Sequence, residues 1–216
     1  MYNPYEWQYN STLIHFLPQK LMHLPTHHTL VLADWHLGKI EHFRKNGAFV
    51  PAVTSEKEYH LIQAIINDLQ LKRIILLGDL FHSELNKDWF DFVEFLQINY
   101  KIEFILTKGN HDILPPAFYE LENLKVVDFF QIDDIIFTHE KQKVDPHQLN
   151  VIGHHHPGIA IRGRARQSYR LPCFYLENKV LIMPAFGEMT GLYMYKNSDQ
   201  NIIFPILGNE IIEYNP

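Results

Sequence analysis

Cysteine occurs once in the 216 residues, as Cys173. A single thiol excludes an intramolecular disulfide and a cysteine-based zinc site. Long apolar runs are missing too, and nothing approaches the roughly 20 residues that a membrane-spanning helix needs. The start, Met1-Tyr2-Asn3-Pro4-Tyr5-Glu6-Trp7, has neither the basic nor the apolar part of a secretion signal. Together these absences predict a cytoplasmic, reducing setting and no membrane contact. Positive charge is also short: 19 Lys and Arg stand against 25 Asp and Glu, a net charge of −6. That balance excludes a broadly basic nucleic-acid binder. It does not exclude a locally positive site, because two bound divalent cations would add about four charges at one place.

What remains is ordinary for a globular protein: 46% hydrophobic and 20% charged residues. The length suits one sizeable core, so a single domain over 1–216 is expected. Histidine is frequent, at 14, and His is a common metal ligand. Position, not abundance, decides whether these histidines act together.

Along the chain, residues 1–10 show no period and predict a loosely held arm. Ser11 to Leu17 reads as a strand, with Gln19 to Leu24 pairing back across Pro18. Thr29 to Ala33 is a short apolar strand. A helix is expected from about Ser55, with Glu58 closing a capping box and Leu61, Ile62, Ile65, Ile66 and Leu69 on one face. Arg73 to Leu77 is the next strand. A second helix, Lys87 to Ile98, should turn Trp89, Phe92, Val93 and Leu96 inward, and Phe90 and Phe95 are core by default. An apolar strand then runs into Thr107. Strand–helix–strand–helix–strand predicts a parallel sheet with right-handed crossovers.

After Pro115-Pro116 a short helical piece is expected over Ala117 to Glu122. Lys125–Phe129 and Asp134–Phe137 read as strands joined by a turn at Gln131–Asp133. Asn150–Ile152 follows, and then short β runs: Leu171–Leu176, Lys179–Met183, Leu192–Tyr195, Ile202–Ile206 and Glu210–Tyr214. The predicted class is α/β: two packed mixed sheets, the first half adding helices outside one of them.

Five polar groups each follow one of these apolar runs: Asp34-x-His36, Gly78-Asp79, Gly109-Asn110-His111-Asp112, His139 and Gly153-His154-x-His156. Carboxyl ends of parallel strands share one edge of a sheet, so residues scattered over a hundred positions would meet in one crevice. Each group alone has a bland explanation as a turn or strand end; five in order do not. Carboxylates, an amide oxygen and imidazoles without thiolate suit Mn²⁺, Fe or Zn²⁺. Two such ions about 3.5–4 Å apart can clamp an in-line phosphoryl displacement. In an extended segment His154 and His156 would point one way and His155 the other.

This order of motifs resembles the calcineurin-like metallophosphoesterase superfamily, whose blocks run D-x-H, G-D, G-N-H-D/E, H and G-H-x-H. The resemblance implies an α/β/β/α sandwich and two divalent ions, Mn²⁺ first, with Fe, Zn or Mg as alternatives. It implies that Asp34, His36, Asp79 and His156 hold one ion, and that Asp79 (bridging), Asn110, His139 and His154 hold the other. His111 would protonate the leaving oxygen, or stabilise the transition state, and Asp112 would orient its imidazole. A hydroxide bridging the ions would attack phosphorus in line.

Further segments are similar to a bacterial subfamily, the ligase-associated DNA damage response endonucleases. They are Ala33-Asp34-Trp35-His36-Leu37-Gly38-Lys39, His42-Phe43-Arg44, Val50-Pro51, Gly78-Asp79-Leu80-Phe81-His82-Ser83, Leu171-Pro172-Cys173-Phe174 and Pro184-Ala185-Phe186-Gly187. Trp35 departs from the Leu usual there. This narrower likeness implies single-stranded DNA cleavage in repair, beside a DNA ligase and a helicase. Hydrolysis of phosphomonoesters or small nucleotides uses the same motifs and stays open, as does a scaffold without activity. Lys39, Arg44, His82, Arg162 and Arg164 are candidate substrate-phosphate contacts, with Arg166 and Arg170 extending the last cluster. His15, His23, His27, His28, His60 and His147 carry no motif, and Cys173 should be an inert strand residue.

Overall fold

The computed structural model describes residues 2–39, 47, 54–81, 87–162, 167–188, 190–196 and 198–214. Among them one sheet is built from seven strands in chain order: β1 (Tyr5–Tyr9), β2 (Thr12–Leu17), β3 (Leu21–Leu24), β4 (Thr29–Ala33), β5 (Arg73–Leu77), β6 (Glu103–Thr107) and β7 (Leu124–Val127). The first four pair antiparallel and the last four parallel. Two helices serve the crossovers, α1 (Thr54–Leu69) and α2 (Lys87–Ile98).

The second sheet takes β8 (Phe130–Ile132), β9 (Ile135–Thr138), β10 (Leu149–Ile152), β11 (Pro157–Arg162), β12 (Ser168–Glu177), β13 (Val180–Ile182) and β14 (Tyr193–Met194). Their order is β14-β11-β12-β13-β10-β9-β8. Strand β15 (Asn201–Leu207) pairs with β12 and with β16 (Glu210–Ile211). Both sheets are mixed, as expected.

Side-chain alternation explains the layering. In β4 to β6, Leu30, Leu32, Ile74, Leu76, Phe104 and Leu106 join a core with α1 and α2. Their neighbours Val31, Ala33, Ile75, Leu77 and Ile105 face the other way, into a core with Phe137, Leu149, Val151, Phe174, Leu181 and Phe204 of the second sheet. Strands buried on both faces read as continuous apolar runs rather than alternating ones. Both described helices therefore lie outside the first sheet, and the second sheet's outer face carries a smaller cluster around Ile159, Cys173, Tyr175 and Ile203. Cys173 is fully buried in β12 and burial pushes its thiol up to about 12.

Four local expectations need correction. Residues 5–9 are not an arm but β1, turned into β2 by a two-residue loop with Asn10 at φ 48°. The alternate aromatics Tyr5 and Trp7 pack on Phe16 and Phe204, which holds the strand in place. Val126-containing β7 belongs to the first sheet beside β6, and the partner of β9 is β8, a strand over the residues read as a turn. Strand β11 is not among the β runs expected from the sequence, because Pro157-Gly158 carries turn chemistry; its Ile159 packs in the outer cluster. On α2, Phe95 is buried but Phe90 is 60% exposed, since the helix places it on the solvent side.

The inter-sheet core is tightest where Phe16 stacks on Phe174, with ring centroids 4.4 Å apart and both side chains fully buried. Phe16→Ala is expected to lower unfolding free energy by about 3–5 kcal/mol, measured by denaturant titration; a loss under about 1 kcal/mol would mean that the sheets do not depend on this contact.

Candidate metal centre

The parallel strands β4, β5 and β6, together with β9 and β10, deliver their carboxyl ends to one rim, where all five polar motifs stand. Two clusters of donor atoms form there. Asp34, His36 and His156 make one; Asp79, His139 and His154 make the other, and within each cluster the donor atoms lie within 4.8 Å of one another. In the first, His36 Nε2 is 3.3 Å from His156 Nε2, which is 3.6 Å from Asp34 Oδ1. In the second, His139 Nε2 is 3.1 Å from His154 Nδ1, 3.2 Å from Asn110 Oδ1 and 3.4 Å from Asp79 Oδ1. All seven predicted ligands thus fall into two adjoining groups.

The protonation of His139 shows what these groups suit. Its Nδ1 is 2.9 Å from the Leu77 carbonyl oxygen, which can only accept, so Nδ1 carries the hydrogen. In the neutral ring Nε2 then presents a lone pair to the amide oxygen of Asn110 and the carboxylate of Asp79. Acceptors crowded against acceptors repel, and a cation among them turns that repulsion into coordination. The donor set, carboxylate and imidazole with one amide oxygen, fits a borderline or hard divalent ion.

The backbone is bent to achieve this. Asp34, His36, Asp79, His154 and His156 have φ of 53°, 52°, 47°, 69° and 48°. Left-handed conformations of non-glycine residues cost about 1–3 kcal/mol each and gather at functional sites. They also correct one expectation: the His154–His156 segment is bent, not extended. His154 and His156 still reach the centre, each in a different cluster, while His155 turns to Tyr195, its Nδ1 2.9 Å from the phenol oxygen.

Main-chain bonds tie the loops together. His154 N–H donates to both Asp34 oxygens at 3.0 and 2.9 Å, so a ligand of the first cluster braces one of the second. His111 N–H donates to Asp79 Oδ1 at 2.9 Å, and His36 N–H to the Asp79 carbonyl at 3.0 Å. Gly78, at φ 68°, lies directly under the His139 ring, where a Cβ would overlap Nδ1.

Asp112, expected to orient the His111 imidazole, is engaged by main-chain donors. It is fully buried, and its oxygens accept the main-chain N–H groups of Leu80 (2.9 Å), Phe81 (3.3 Å) and Gly109 (2.9 Å). It therefore clamps the β5 and β6 loops to each other. Burial pushes its carboxyl up, and these three bonds pull the other way.

Glu58 is the residue that sequence reasoning misplaced. It lies within α1, which begins at Thr54, and is not a capping side chain. Its buried carboxylate accepts the Trp35 indole N–H at 2.9 Å and the Glu188 main-chain N–H at 2.8 Å. The signal available was Trp35 itself, a buried indole that needs an acceptor. Among the candidate phosphate contacts, Lys39 is half-buried near Asp34 and Asp79; burial lowers its pKa and the two carboxylates act against that. Arg162 ends β11 five residues beyond Pro157, about 16 Å of strand away from the rim. It is exposed and is not brought to the metal ligands. Arg44, His82 and Arg164, with Arg166, lie outside the described residues.

Comparison with known proteins agrees with this geometry. The sequence model of the family described as calcineurin-like phosphoesterase matches residues 27–205. No curated protein is matched by the chain. Among solved structures the fold is similar to that of nuclease MPE of Pseudomonas putida, with a TM-score of 0.78 at 21% identity, covering 98% of this chain and 100% of that one. A more distant likeness is to YfcE, a phosphoesterase from E. coli, with a TM-score of 0.45 at 11% identity over 86% of this chain and 97% of that one.

Two substitutions separate clamp from ligand. Asp112→Asn keeps the size of the side chain but loses an acceptor to buried N–H groups, so stability should fall by about 1–3 kcal/mol in denaturant titration. If Asp112 acted through the imidazole alone, stability would not move. Gly78→Ala should weaken Mn²⁺ binding about tenfold or more by calorimetry, as displacing a ligand's support does; unchanged affinity would show that the His139 ring has room to shift.

Proposed function

The chain belongs to the calcineurin-like phosphoesterase family, and from that premise we propose that it is a nuclease hydrolysing phosphodiester bonds, with single-stranded DNA as its substrate. The observation that carries this reading is the pair of adjoining donor clusters at one rim, each with a buried carboxylate and two imidazoles. Phosphoryl transfer needs little covalent work from a protein; it needs positioning and charge. The fold-level neighbour from Pseudomonas putida is itself named a nuclease.

Asp34, His36 and His156 would hold one divalent ion; Asp79, Asn110, His139 and His154 would hold the other. When bound, such ions act as Lewis acids on phosphoryl oxygens and lower the pKa of water toward neutrality. The bridging role of Asp79 rests on the family resemblance. In its support, Asp79 contributes a carboxylate oxygen to the second cluster while its carbonyl is fixed to His36 of the first.

His111 is the proton donor to the leaving oxygen in this reading. Its main chain is fastened to Asp79, and its ring stands edge-on to that of His36 at 5.6 Å between centroids. An imidazole bordering the first cluster, half-buried and held by its backbone, is within reach of a phosphate seated there. Lys39 would meet a non-bridging phosphate oxygen, since it stands near the same two carboxylates that face the ions. Mn²⁺ is the metal that the resemblance puts first, and the oxygen-and-imidazole donor set suits it as it suits Fe or Zn²⁺. The repair setting, cytoplasmic and beside a ligase and a helicase, rests on the subfamily motifs.

With Mn²⁺ and a single-stranded oligonucleotide, His111→Ala should lower kcat by about 100-fold or more. Asp79→Asn should abolish turnover. Near wild-type rates for either variant would overturn the assignment. Wild-type protein that hydrolyses p-nitrophenyl phosphate but cuts no oligonucleotide would overturn the nuclease reading in favour of a phosphomonoesterase.

A further inference from the structure

A row of rings leads away from the second cluster of donors. His139 and His154 lie 4.9 Å apart by ring centroids, and His154 and His155 lie 5.4 Å apart. His155 then meets Tyr193 at 6.2 Å and 87°, and Tyr193 meets Tyr195 at 5.0 Å and 68°. Tyr195 rests on Tyr175 at 4.1 Å, and Asn201 donates to the Tyr175 phenol oxygen at 3.0 Å. The far end of the row is thus buried and hydrogen-bonded, and the near end borders the metal ligands.

Tyr193 is exposed, as are His154 and His155 beside it. It is 62% exposed, although its neighbours are fixed around it. His155 and Tyr195 both meet it at steep angles, and they are bonded to each other through Nδ1 and the phenol oxygen. Its backbone is equally tied: Tyr193 N–H donates to the carbonyl of the ligand His156 at 3.0 Å, and β14 pairs with β11 directly after that residue. Here ring contacts to His155 and Tyr195 and a main-chain bond to His156 hold it, two ring contacts along from the ligand His154, with much of its surface left uncovered.

We propose that Tyr193, propped by His155 and Tyr195, is a stacking platform for a nucleobase adjoining the phosphate to be cut. The inference rests on the nuclease reading and deepens it, by naming what part of the substrate is recognised beside the phosphate. Aromatic side chains bind single strands in this way with little sequence preference, because every base has a π-face. A paired base in a duplex keeps its faces against its neighbours and cannot offer one without unstacking. The platform therefore selects unpaired strands, which an acidic protein cannot do by general charge. His155 and Tyr195 are positioning residues; only Tyr193 would touch the base.

The test compares wild-type protein, Tyr193→Ala and Tyr193→Phe on three substrates with Mn²⁺: a single-stranded oligonucleotide, the same strand with abasic residues placed singly around the cut, and methyl p-nitrophenyl phosphate. Tyr193→Ala should raise KM for the intact strand about fivefold or more, so that the ratio of strand to small-diester kcat/KM falls. Tyr193→Phe should restore that ratio, since the ring face and not the phenol is used. One abasic position should impair the wild type and leave Tyr193→Ala little further affected. Equal ratios for wild type and Tyr193→Ala on an efficiently cut strand would overturn the platform while the nuclease reading stands. A wild type that turns over the small diester and no strand would overturn both.

Discussion

The mutual repulsion of electron-rich atoms at one rim is the constraint on which the remaining structure depends. Asp34 and Asp79 are buried, His139 is forced by the Leu77 carbonyl to turn its lone pair outward, and Asn110 adds a further oxygen. Nothing in packing alone favours such a set, and each member would be better solvated elsewhere. Its assembly must be imposed by the scaffold. Two sheets locked together through Phe16, Phe137, Phe174 and Phe204 supply the rigidity, and the parallel strands supply the direction in which every loop leaves. Five left-handed ligand residues record the strain of that imposition.

Strain of this kind persists only where the surroundings over-determine it. The cross-links at the rim do so in pairs. The backbone of His154 is held by Asp34, that of His111 by Asp79, and those of Leu80, Phe81 and Gly109 by Asp112. Each carboxylate therefore fixes a loop other than its own. Loss of one would loosen two strand ends at once, so the site behaves as a single unit rather than as a sum of ligands.

Sequence alone carried the strand ends well. Val31, Ile75 and Ile105 lie in runs too apolar for anything but strands buried on both faces, and a polar residue directly after such a run has to emerge at the rim. The family resemblance, not the spacing, then divided the seven donor side chains much as the two groups seen, with Asp79 implied in both. What the chain could not show was any contact set by tertiary packing. Tyr5 and Trp7 alternate as strand residues should, but one ring they share as a partner, Phe204, lies some two hundred positions away. Strand β11 was hidden because Pro157-Gly158 has turn chemistry whatever its neighbours do. Asp112 follows His111 in the chain, which suggests a pair and gives no sign of the three main-chain donors that its buried carboxylate accepts. The same argument applies to His155, flanked by two ligands yet committed to a tyrosine forty residues on.

Trp35 shows how one departure from a motif is absorbed. It sits between two ligands, Asp34 and His36, and its ring turns into the helix-side core against Tyr59, Phe92, Phe95 and Phe186. A smaller apolar residue could fill part of that space but could not donate. Glu58, fully inside α1 and pushed toward neutrality by burial, needs donors to remain charged, and the indole N–H is one of the two it has been given. The other comes from Glu188, just after Phe186 and Gly187, whose N–H groups bind the carbonyls of Ala33 and Asp34 at 2.8 and 3.2 Å. Helix, metal loop and the segment after β13 thus meet on one carboxylate. Tryptophan at this position and glutamate at position 58 are parts of one solution: a leucine at 35 would take away one of the buried acid's two hydrogen-bond donors and leave it the Glu188 N–H and the nearby charge of Lys20.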